Sequence, residues 1–397
     1  MTTTNDAGSW VRSWGASPQA AHDGLGSLDD HPPLADVTLR QVVRISGGGR
    51  RVRIRFTNEF GTAPFTIGAA QVGLAVPGGG VRRGSERVLT FSGASAVTVP
   101  AGAPILSDPV DLPLPALAKL SISLYLPGRV ETCTCHDPAL ETGWTIPGDT
   151  VTAPTLPENA EVLPVRALIS AVELLTDAPA KAIVVVGDSR ADGAGSTPDT
   201  NHSWPELLAE RLAERGVAAG YVSNQGISGN RMLNDGIGVA ALARFDRDVL
   251  ATPGLGYVVL SVGGNDLGIS FAPQDGPLAD FLKMFPGAPV TTDDVIASYR
   301  QLIARARERG VRVYATTIPP YEGAEIYTPA GESARQTVNE WIRTGGAFDA
   351  VLDFDAVWHD PGRPSRIRAD FHAGDHLHGN DAGYRALADS IDLSLFS

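Results

Sequence analysis

The sequence predicts an all-β domain followed by an α/β domain with a parallel sheet. The apolar run 182–186 has no polar interruption, which is typical of a strand buried on both faces. Short alternating segments with glycine and proline turns precede this run, and alternating strands and helices follow it. The length of 397 residues also favours two domains, which we place at 1–177 and 178–397.

The N-terminal part is predicted to consist of short strands. Residues 51–56 alternate strictly between basic and apolar side chains, so one face of this strand is expected to be buried. Further strands are expected at 38–45, 67–75, 87–91, 96–99, 120–125 and 166–175. Many short strands joined by tight turns predict a β-sandwich of jelly-roll type, and residues 176–180 are the predicted linker.

The C-terminal part is predicted to alternate strands with helices. Strands are expected at 182–186, 221–222, 256–262, 311–317 and 351–354. Helices are expected at 203–216, 239–250, 292–309, 332–343 and 382–391, with Thr292 as the cap of the third. This alternation predicts a parallel sheet with helices on both faces, in which ligands bind at the carboxyl ends of the strands.

Composition and charge exclude several partners. The net charge is −13 and there is no basic run, so nucleic acid and anionic membranes are poor partners. No apolar run approaches the ~20 residues of a membrane span, and the first residues lack a signal peptide. We therefore expect a cytoplasmic protein, or a secreted one if an export signal has been removed, and the oligomeric state is left open.

A serine and a C-terminal histidine could together supply a nucleophile and its base. Ser189 follows the first strand of the α/β part, and a serine hydroxyl needs a base within hydrogen-bond reach. His378 can be that base, and Asp375, three residues earlier, can orient it. The oxyanion of an acyl-transfer intermediate also needs fixed donors. Candidates are the backbone N–H groups of Ser189 and Gly229 and the side-chain amide of Asn265.

Four blocks containing these residues resemble those of the SGNH, or GDSL, hydrolases. In chain order they are Gly187-Asp188-Ser189, Ser228-Gly229-Asn230, Gly263-Gly264-Asn265-Asp266 and Asp375-His376-Leu377-His378. The resemblance spans about 181–396 and implies a flavodoxin-like three-layer α/β/α domain. It also implies Ser189 as nucleophile, His378 as base, Asp375 as orienting residue, and Gly229 and Asn265 as oxyanion donors.

The whole chain resembles a two-domain, xylan-esterase-like branch of these acylhydrolases. Its β domain has recognisable counterparts of 39–44 and 58–61. The resemblance implies a serine esterase without metal or cofactor that acts on short-chain, above all acetyl, esters of carbohydrates or small alcohols. Alternatives are a carbohydrate-binding protein with a degenerate hydrolase domain, a thioesterase and an acyltransferase.

One residue departs from the family pattern, and two clusters allow other chemistry. Relatives usually carry Leu or Ile after the serine, whereas this chain has Arg190, either a solvated or salt-bridged residue or a substrate contact. Asn230 is a second substrate-binding candidate. The histidines at 372, 376 and 378 could bind a metal, and 133–136 could hold a metal or a redox pair. Position 191 is not glycine, so the motif is not the nucleophile elbow of α/β-hydrolases.

Overall fold

The structure is a computed structural model that describes residues 8–21, 28, 31–217, 220–276 and 278–397. These residues form two units. One comprises the described residues up to Ala182 together with Ala213–Ser223, and the other comprises Ile183–Leu212 and Asn224–Ser397. The domain limits 1–177 and 178–397 stay a prediction.

The first unit is built from antiparallel strands. One sheet has the order Ser9–Gly15, Ile169–Thr176, Gly49–Thr57 and Pro104–Leu106, with Val110–Leu114 also paired to Gly49–Thr57. The larger sheet has the order Glu161–Leu163, Gly143–Pro147, Val37–Arg44, Lys119–Leu126, Ala69–Val76 and Gly80–Val81, with Arg87–Val88 paired to Ala69–Val76. Two smaller sheets join Arg166–Ala167, Thr134–His136 and Gln19–Ala20, and Phe65–Ile67 with Val97–Val99.

Side chains from both large sheets share one apolar core. Ile54 and Phe56 come from the first sheet, and Leu39 and Ile122 come from the larger sheet; all four are fully buried in one cluster. Two antiparallel sheets that each bury one face against a common core form a β-sandwich. The predicted all-β sandwich is therefore confirmed.

Two strands predicted as continuous are each divided. The predicted strand 166–175 is interrupted at Leu168, which is buried and has a φ of +60°. The Leu168 N–H donates to the Thr134 carbonyl, while its own carbonyl accepts from the N–H of Thr57. The chain thus passes from one sheet to another at this residue. The predicted strand 67–75 is divided at Gly68, which separates Phe65–Ile67 from Ala69–Val76.

The second unit is built on a five-stranded sheet. Its order is Tyr221–Gly226, Ala182–Gly187, Leu255–Ser261, Arg312–Thr316 and Ala350–Leu352, and the first residues of the first two strands in this order are grouped with the other unit. The last three strands pair in parallel. Numbered by appearance in the chain, the order is 2-1-3-4-5, which is the flavodoxin-like order. In such a sheet the order reverses between the first and third strands, and ligands bind at their carboxyl ends.

Helices cover both faces of this sheet, as the alternation predicts. Val258 and Val313 pack on one face in a cluster with helix residues such as Leu302, while Tyr257 and Tyr314 point to the other face. The α-helices are Ser189–Asp192, Trp204–Glu214, Ala241–Phe245, Gly264–Phe271, Ala279–Leu282, Thr292–Arg307, Pro329–Thr344, Phe354–Trp358 and Asp381–Ser390. A π-helix at Asp246–Leu250, a 3-10 helix at Leu393–Phe396 and a hairpin of His359–Asp360 with Arg363–Ile367 complete the unit.

The cap of the helix Thr292–Arg307 lies one residue before the predicted one. The Thr291 hydroxyl accepts from the Asp294 N–H, and the Asp294 carboxylate accepts from the Thr291 N–H at 2.8 Å. This reciprocal pair is a capping box, which satisfies two N–H groups at the start of the helix. Thr292, the predicted cap, is instead the first helical residue.

Candidate active site

Ser189 lies where the first strand of the parallel sheet turns into a helix. Gly187 ends the strand, and a side-chain carbon there would come within 2.2 Å of Ala191, so only glycine fits. Asp188 caps the short helix Ser189–Asp192 by accepting from the Arg190 N–H at 3.1 Å. The hydroxyl of Ser189 is thereby presented at the carboxyl edge of the sheet.

The structure brings together the three residues predicted to form a triad. His378 Nε2 lies 2.8 Å from Ser189 Oγ, and His378 Nδ1 lies 2.6 Å from Asp375 Oδ2. Partial burial alone would raise the pKa of Asp375. The hydrogen bonds from His378 and from the backbone N–H of Leu377 outweigh that effect and hold this pKa well below its usual range. An ionised Asp375 favours the imidazole tautomer that carries its proton on Nδ1 and leaves Nε2 free to accept.

The loop that carries Asp375 and His378 is fixed by short-range hydrogen bonds. Asp375 Oδ1 accepts from the backbone N–H groups of Leu377 and His378, both at 2.9 Å. One long-range bond ties the same loop to the nucleophile turn, since Arg190 Nε donates to the Leu377 carbonyl at 3.1 Å. These bonds set the position of the histidine relative to Ser189.

Three donors suited to an oxyanion are found at adjoining strand ends. Among the described residues, the backbone N–H groups of Ser189 and Gly229 have no hydrogen-bond acceptor. Asn265 Nδ2 donates to the Asn230 carbonyl at 3.0 Å, which brings the amide beside the Gly229 loop. A primary amide has two N–H donors, so one remains for a ligand. Asn265 and Ser189 also line the same small pocket.

Two buried carboxylates hold the loop that contains Gly229. Asp192 accepts from both the N–H and the hydroxyl of Ser228, at 3.1 and 2.7 Å. Asp266 accepts from the N–H groups of Met232 and Leu233, at 2.7 and 3.1 Å. Burial raises the pKa of Asp266 to about 6, although these N–H groups oppose the shift. Both ends of the loop are therefore anchored independently of any substrate.

The structure corrects the expectation that the Asn230 side chain contacts the substrate. This side chain is fully buried; its Oδ1 accepts from Arg244 Nε and Nη2, and its Nδ2 donates to the Val239 carbonyl. Arg244 also donates to the Gly187 carbonyl at 3.3 Å and pairs with Asp248 at 2.9 Å. Asn230 thus joins the Gly229 loop to the end of the nucleophile strand.

Arg190 is not a solvated surface residue, which removes one of the two roles expected for it. Only 7% of the residue is exposed, and it forms no ion pair within the part of the chain that the structure describes. Burial lowers the pKa of the guanidinium, and the nearby Asp188 carboxylate opposes that shift. With Ser189, Asn265 and Leu377, it lines the pocket beside the nucleophile.

The two clusters that could have held a metal or a redox pair are arranged differently. No group of three His, Cys, Asp or Glu side chains within the described ranges is placed to hold a metal ion. The rings of His372 and His376 stack with centroids 4.3 Å apart. Cys133 and Cys135 are free and buried, and their mutual hydrogen bond and burial raise the pKa of the Cys133 thiol well above its usual range. A thiol of that kind is a poor nucleophile.

Sequence reasoning did not find the residues that support the site. Asp266 lies in the block Gly263-Gly264-Asn265-Asp266, but that block indicates a chemical role only for Asn265. Asp192 follows Ser189 by three residues, and this spacing places it at the carboxyl end of the same helical turn. Arg244 has one local partner, Asp248 four residues later, but its bonds to Gln225, Gly187 and Asn230 join three other segments and have no local signal in the sequence.

A strand-end serine bonded to a histidine that is itself bonded to a carboxylate is the arrangement of the serine hydrolases. The sequence matches the GDSL-like lipase/acylhydrolase family over residues 185–386, just over half of the chain. The protein therefore belongs to this family and is a carboxylic ester hydrolase. No curated protein sequence matches the chain.

Several solved structures are similar to part of the chain. An acetyl xylan esterase from Geobacillus stearothermophilus is 21% identical with a TM-score of 0.40, covering 53% of this chain and 92% of its own. A GDSL-family lipolytic protein from Desulfitobacterium hafniense is 19% identical with a TM-score of 0.38, covering 53% and 97%. A lipase/acylhydrolase from Enterococcus faecalis is 21% identical with a TM-score of 0.38, covering 53% and 92%.

Within the described residues, every helix is too short or too polar to cross a lipid bilayer.

Proposed function

We propose that the protein is a serine esterase that hydrolyses short-chain acyl esters, above all acetyl esters, of carbohydrates or small alcohols. The observation that carries this proposal is the 2.8 Å contact between Ser189 Oγ and His378 Nε2, with Asp375 on the far side of the imidazole. A hydroxyl this close to an acceptor nitrogen can lose its proton as it attacks a carbonyl carbon.

The reaction proceeds in two balanced halves. Ser189 Oγ bonds to the ester carbonyl carbon as its proton moves to His378 Nε2, and the resulting oxyanion accepts from the N–H groups of Ser189 and Gly229 and from Asn265. The alcohol leaves with the proton from His378, and an acyl-enzyme remains. Water then loses a proton to His378 as it bonds to the acyl carbon; the bond from that carbon to Ser189 Oγ breaks, Oγ takes the proton back from His378, and the carboxylic acid is released.

The size of the neighbouring pocket supports a short acyl group. Ser189 and Asn265 share this pocket with Tyr321, Ile326 and Leu377, which leave only a small space beside the hydroxyl. A long hydrocarbon chain there would also meet the buried Arg190, and leaving a cation unpaired against hydrocarbon is costly. The resemblance to xylan-esterase-like acylhydrolases favours acetyl among the short groups.

Trapping the acyl-enzyme tests the proposed nucleophile. An organophosphate should add once to the protein, and peptide mass spectrometry should place the adduct on Ser189. Ser189→Ala should neither form the adduct nor hydrolyse p-nitrophenyl acetate. An adduct on another serine would contradict the assignment, and wild-type turnover that rises from acetyl to octanoyl esters would contradict the short-acyl preference.

A further inference from the structure

The guanidinium of Arg190 is almost wholly buried beside the nucleophile, yet most of its donors are unused. The residue is 7% exposed, and its Nε donates to the Leu377 carbonyl. Among the described residues, its Nη1 and Nη2 have no hydrogen-bond or ion-pair partner. A guanidinium has five N–H donors, four of them on these two nitrogens. Both nitrogens keep some accessible surface, so a ligand can reach these unused donors from the adjoining pockets.

The unused nitrogens lie next to the proposed reaction centre. Arg190 lines the small pocket that Ser189 and Asn265 also line. A side-chain carbon at Gly264 would lie 3.3 Å from Arg190 Nη1 and 3.5 Å from Asp188 Oδ2, so the nitrogen and this carboxylate oxygen both lie beside the residue directly before Asn265. Arg190 and Gly264 line both the Ser189 pocket and an inner cavity, and a group that reaches the guanidinium from the pocket would sit next to an ester held at Ser189.

The nearest acidic group does not neutralise this cation by direct contact. Asp188 attracts Arg190 electrostatically, but its Oδ1 accepts from the Arg190 backbone N–H, and the two side chains form no ion pair among the described residues. Arg190 also lines an inner cavity with Trp204, whose Nε1 has no partner in the described structure. Ordered water in that cavity is the competing explanation for the unused donors.

We propose that Arg190 forms a subsite for a compact carboxylate that the substrate carries next to its scissile ester. This inference rests on the esterase function proposed above and narrows its substrate class. Carboxylate geometry matches the paired N–H groups of a guanidinium, and such charge-assisted bonds are stronger than neutral ones. The net charge of −13 repels anionic substrates in general. A preference for anionic esters would therefore indicate a local positive charge, which Arg190 supplies.

Two pairs of size-matched esters test the subsite in the wild-type protein. Monoethyl succinate and ethyl pentanoate differ by a carboxylate on the acyl side, and acetoxyacetate and propyl acetate differ by one on the alcohol side. Turnover is followed by titration of the released acid at pH 8. We expect kcat/KM for the anionic ester to exceed that of its neutral partner by about 10–100-fold in one pair. That pair identifies the side of the ester that faces Arg190.

Substitution of Arg190 separates the subsite from a structural role. In Arg190→Met the anionic preference should disappear, and in Arg190→Lys it should be reduced but retained, because the charge remains while paired donation is lost. Arg309→Met is the matched control, since it removes the same charge from an exposed position at the end of the helix Thr292–Arg307. If Arg190 had only a structural role, its substitution would lower kcat/KM equally for both members of each pair.

The outcomes distinguish this inference from the proposed function. If the wild type hydrolyses p-nitrophenyl acetate but prefers the neutral member of both pairs, the subsite is overturned and the esterase proposal stands. If it hydrolyses no ester, the esterase proposal itself fails. The wild-type comparison decides the subsite even if Arg190→Met does not fold.

Discussion

Two segments of the site differ in how they are held: the donor loop, residues 228–233, and the base loop, residues 375–378. Asp192, Asp266 and the buried Arg244–Asn230 contact fix the donor loop from several sides. The base loop is half-exposed, with 46% of the Asp375 side chain and 23% of the His378 side chain accessible. Donors for a developing charge must be fixed in advance, whereas the base and its carboxylate can hold one another.

This difference predicts that changes in the base loop remove activity and leave stability nearly intact. We expect His378→Ala to lower kcat by about 10⁴-fold or more, because His378 is the one described side chain that is hydrogen-bonded to the Ser189 hydroxyl. The unfolding midpoint in urea should change little, since the side chain is only partly buried. His202→Ala, which removes a histidine paired with Asp381 at 3.0 Å, is the control. Retention of activity within about tenfold would exclude His378 as the base.

Changes behind the donor loop should affect stability as well. Arg244→Met deprives Asn230 of its donors and removes one of the two cations paired with the buried Asp248. Because Arg247 still pairs with Asp248 at 2.6 Å, we expect a loss of about 3 kcal/mol of the free energy of unfolding, the low end for breaking a buried ion pair. Arg385→Met should cost about 1 kcal/mol or less, because its pair with Glu210 is half-exposed. Urea denaturation measures both. Equal effects would show that the donor loop is no more tightly held than the surface.

A donor that acts on the transition state should change kcat rather than KM. We expect Asn265→Ala to lower kcat by about 10²–10³-fold with little change in KM. Asn234→Ala is the control, since this partly buried amide donates to the Ala288 carbonyl and to no other group among the described residues. A large rise in KM at unchanged kcat would instead make Asn265 a ground-state contact.

The smallest expected effect is on the pH profile. An imidazole that has gained a proton cannot accept another from Ser189, so activity should fall towards acid pH. The pKa of Asp375 is held well below its usual range, so its carboxylate stays ionised there. Asp375 therefore adds no ionisation to the acid side, whereas Asp266, whose pKa burial raises to about 6, anchors the donor loop and does add one. We expect a fall steeper than about tenfold per pH unit, and a fall of only about tenfold would show that protonation of Asp266 does not disturb the site.

The depressed pKa of Asp375 also makes the stability of the folded protein depend on pH. A carboxyl group whose pKa is lower in the folded state stabilises that state at neutral pH, and the contribution is lost as pH falls below about 4. In Asp375→Asn, stability should therefore depend less steeply on pH in that acid range. Urea midpoints between about pH 3 and 6 measure the difference. If the midpoints of the two proteins changed equally with pH, Asp375 would not be the source of this pH dependence.

The sequence predicts those features that rest on short-range patterns. The strand before Ser189 is found from an unbroken apolar run, and the pairing of Asp375 with His378 follows from a spacing of three residues within one loop. The break at Leu168 is not found, because a left-handed leucine has no local signature. Burial of Arg190 and Asn230 is missed for a related reason, since their partners Leu377 and Arg244 lie elsewhere in the sequence.

The separation between Ser189 and His378 has a consequence for how the protein acquires activity during folding. Their hydrogen bond spans 189 residues, and the Arg190–Leu377 bond beside it spans 187. Contacts this distant in sequence form late, because long loops must close first. No short fragment of the chain contains a complete site. Regain of esterase activity during refolding is therefore expected to follow completion of the parallel sheet, so that hydrolysis of a chromogenic ester reports the last stage of folding.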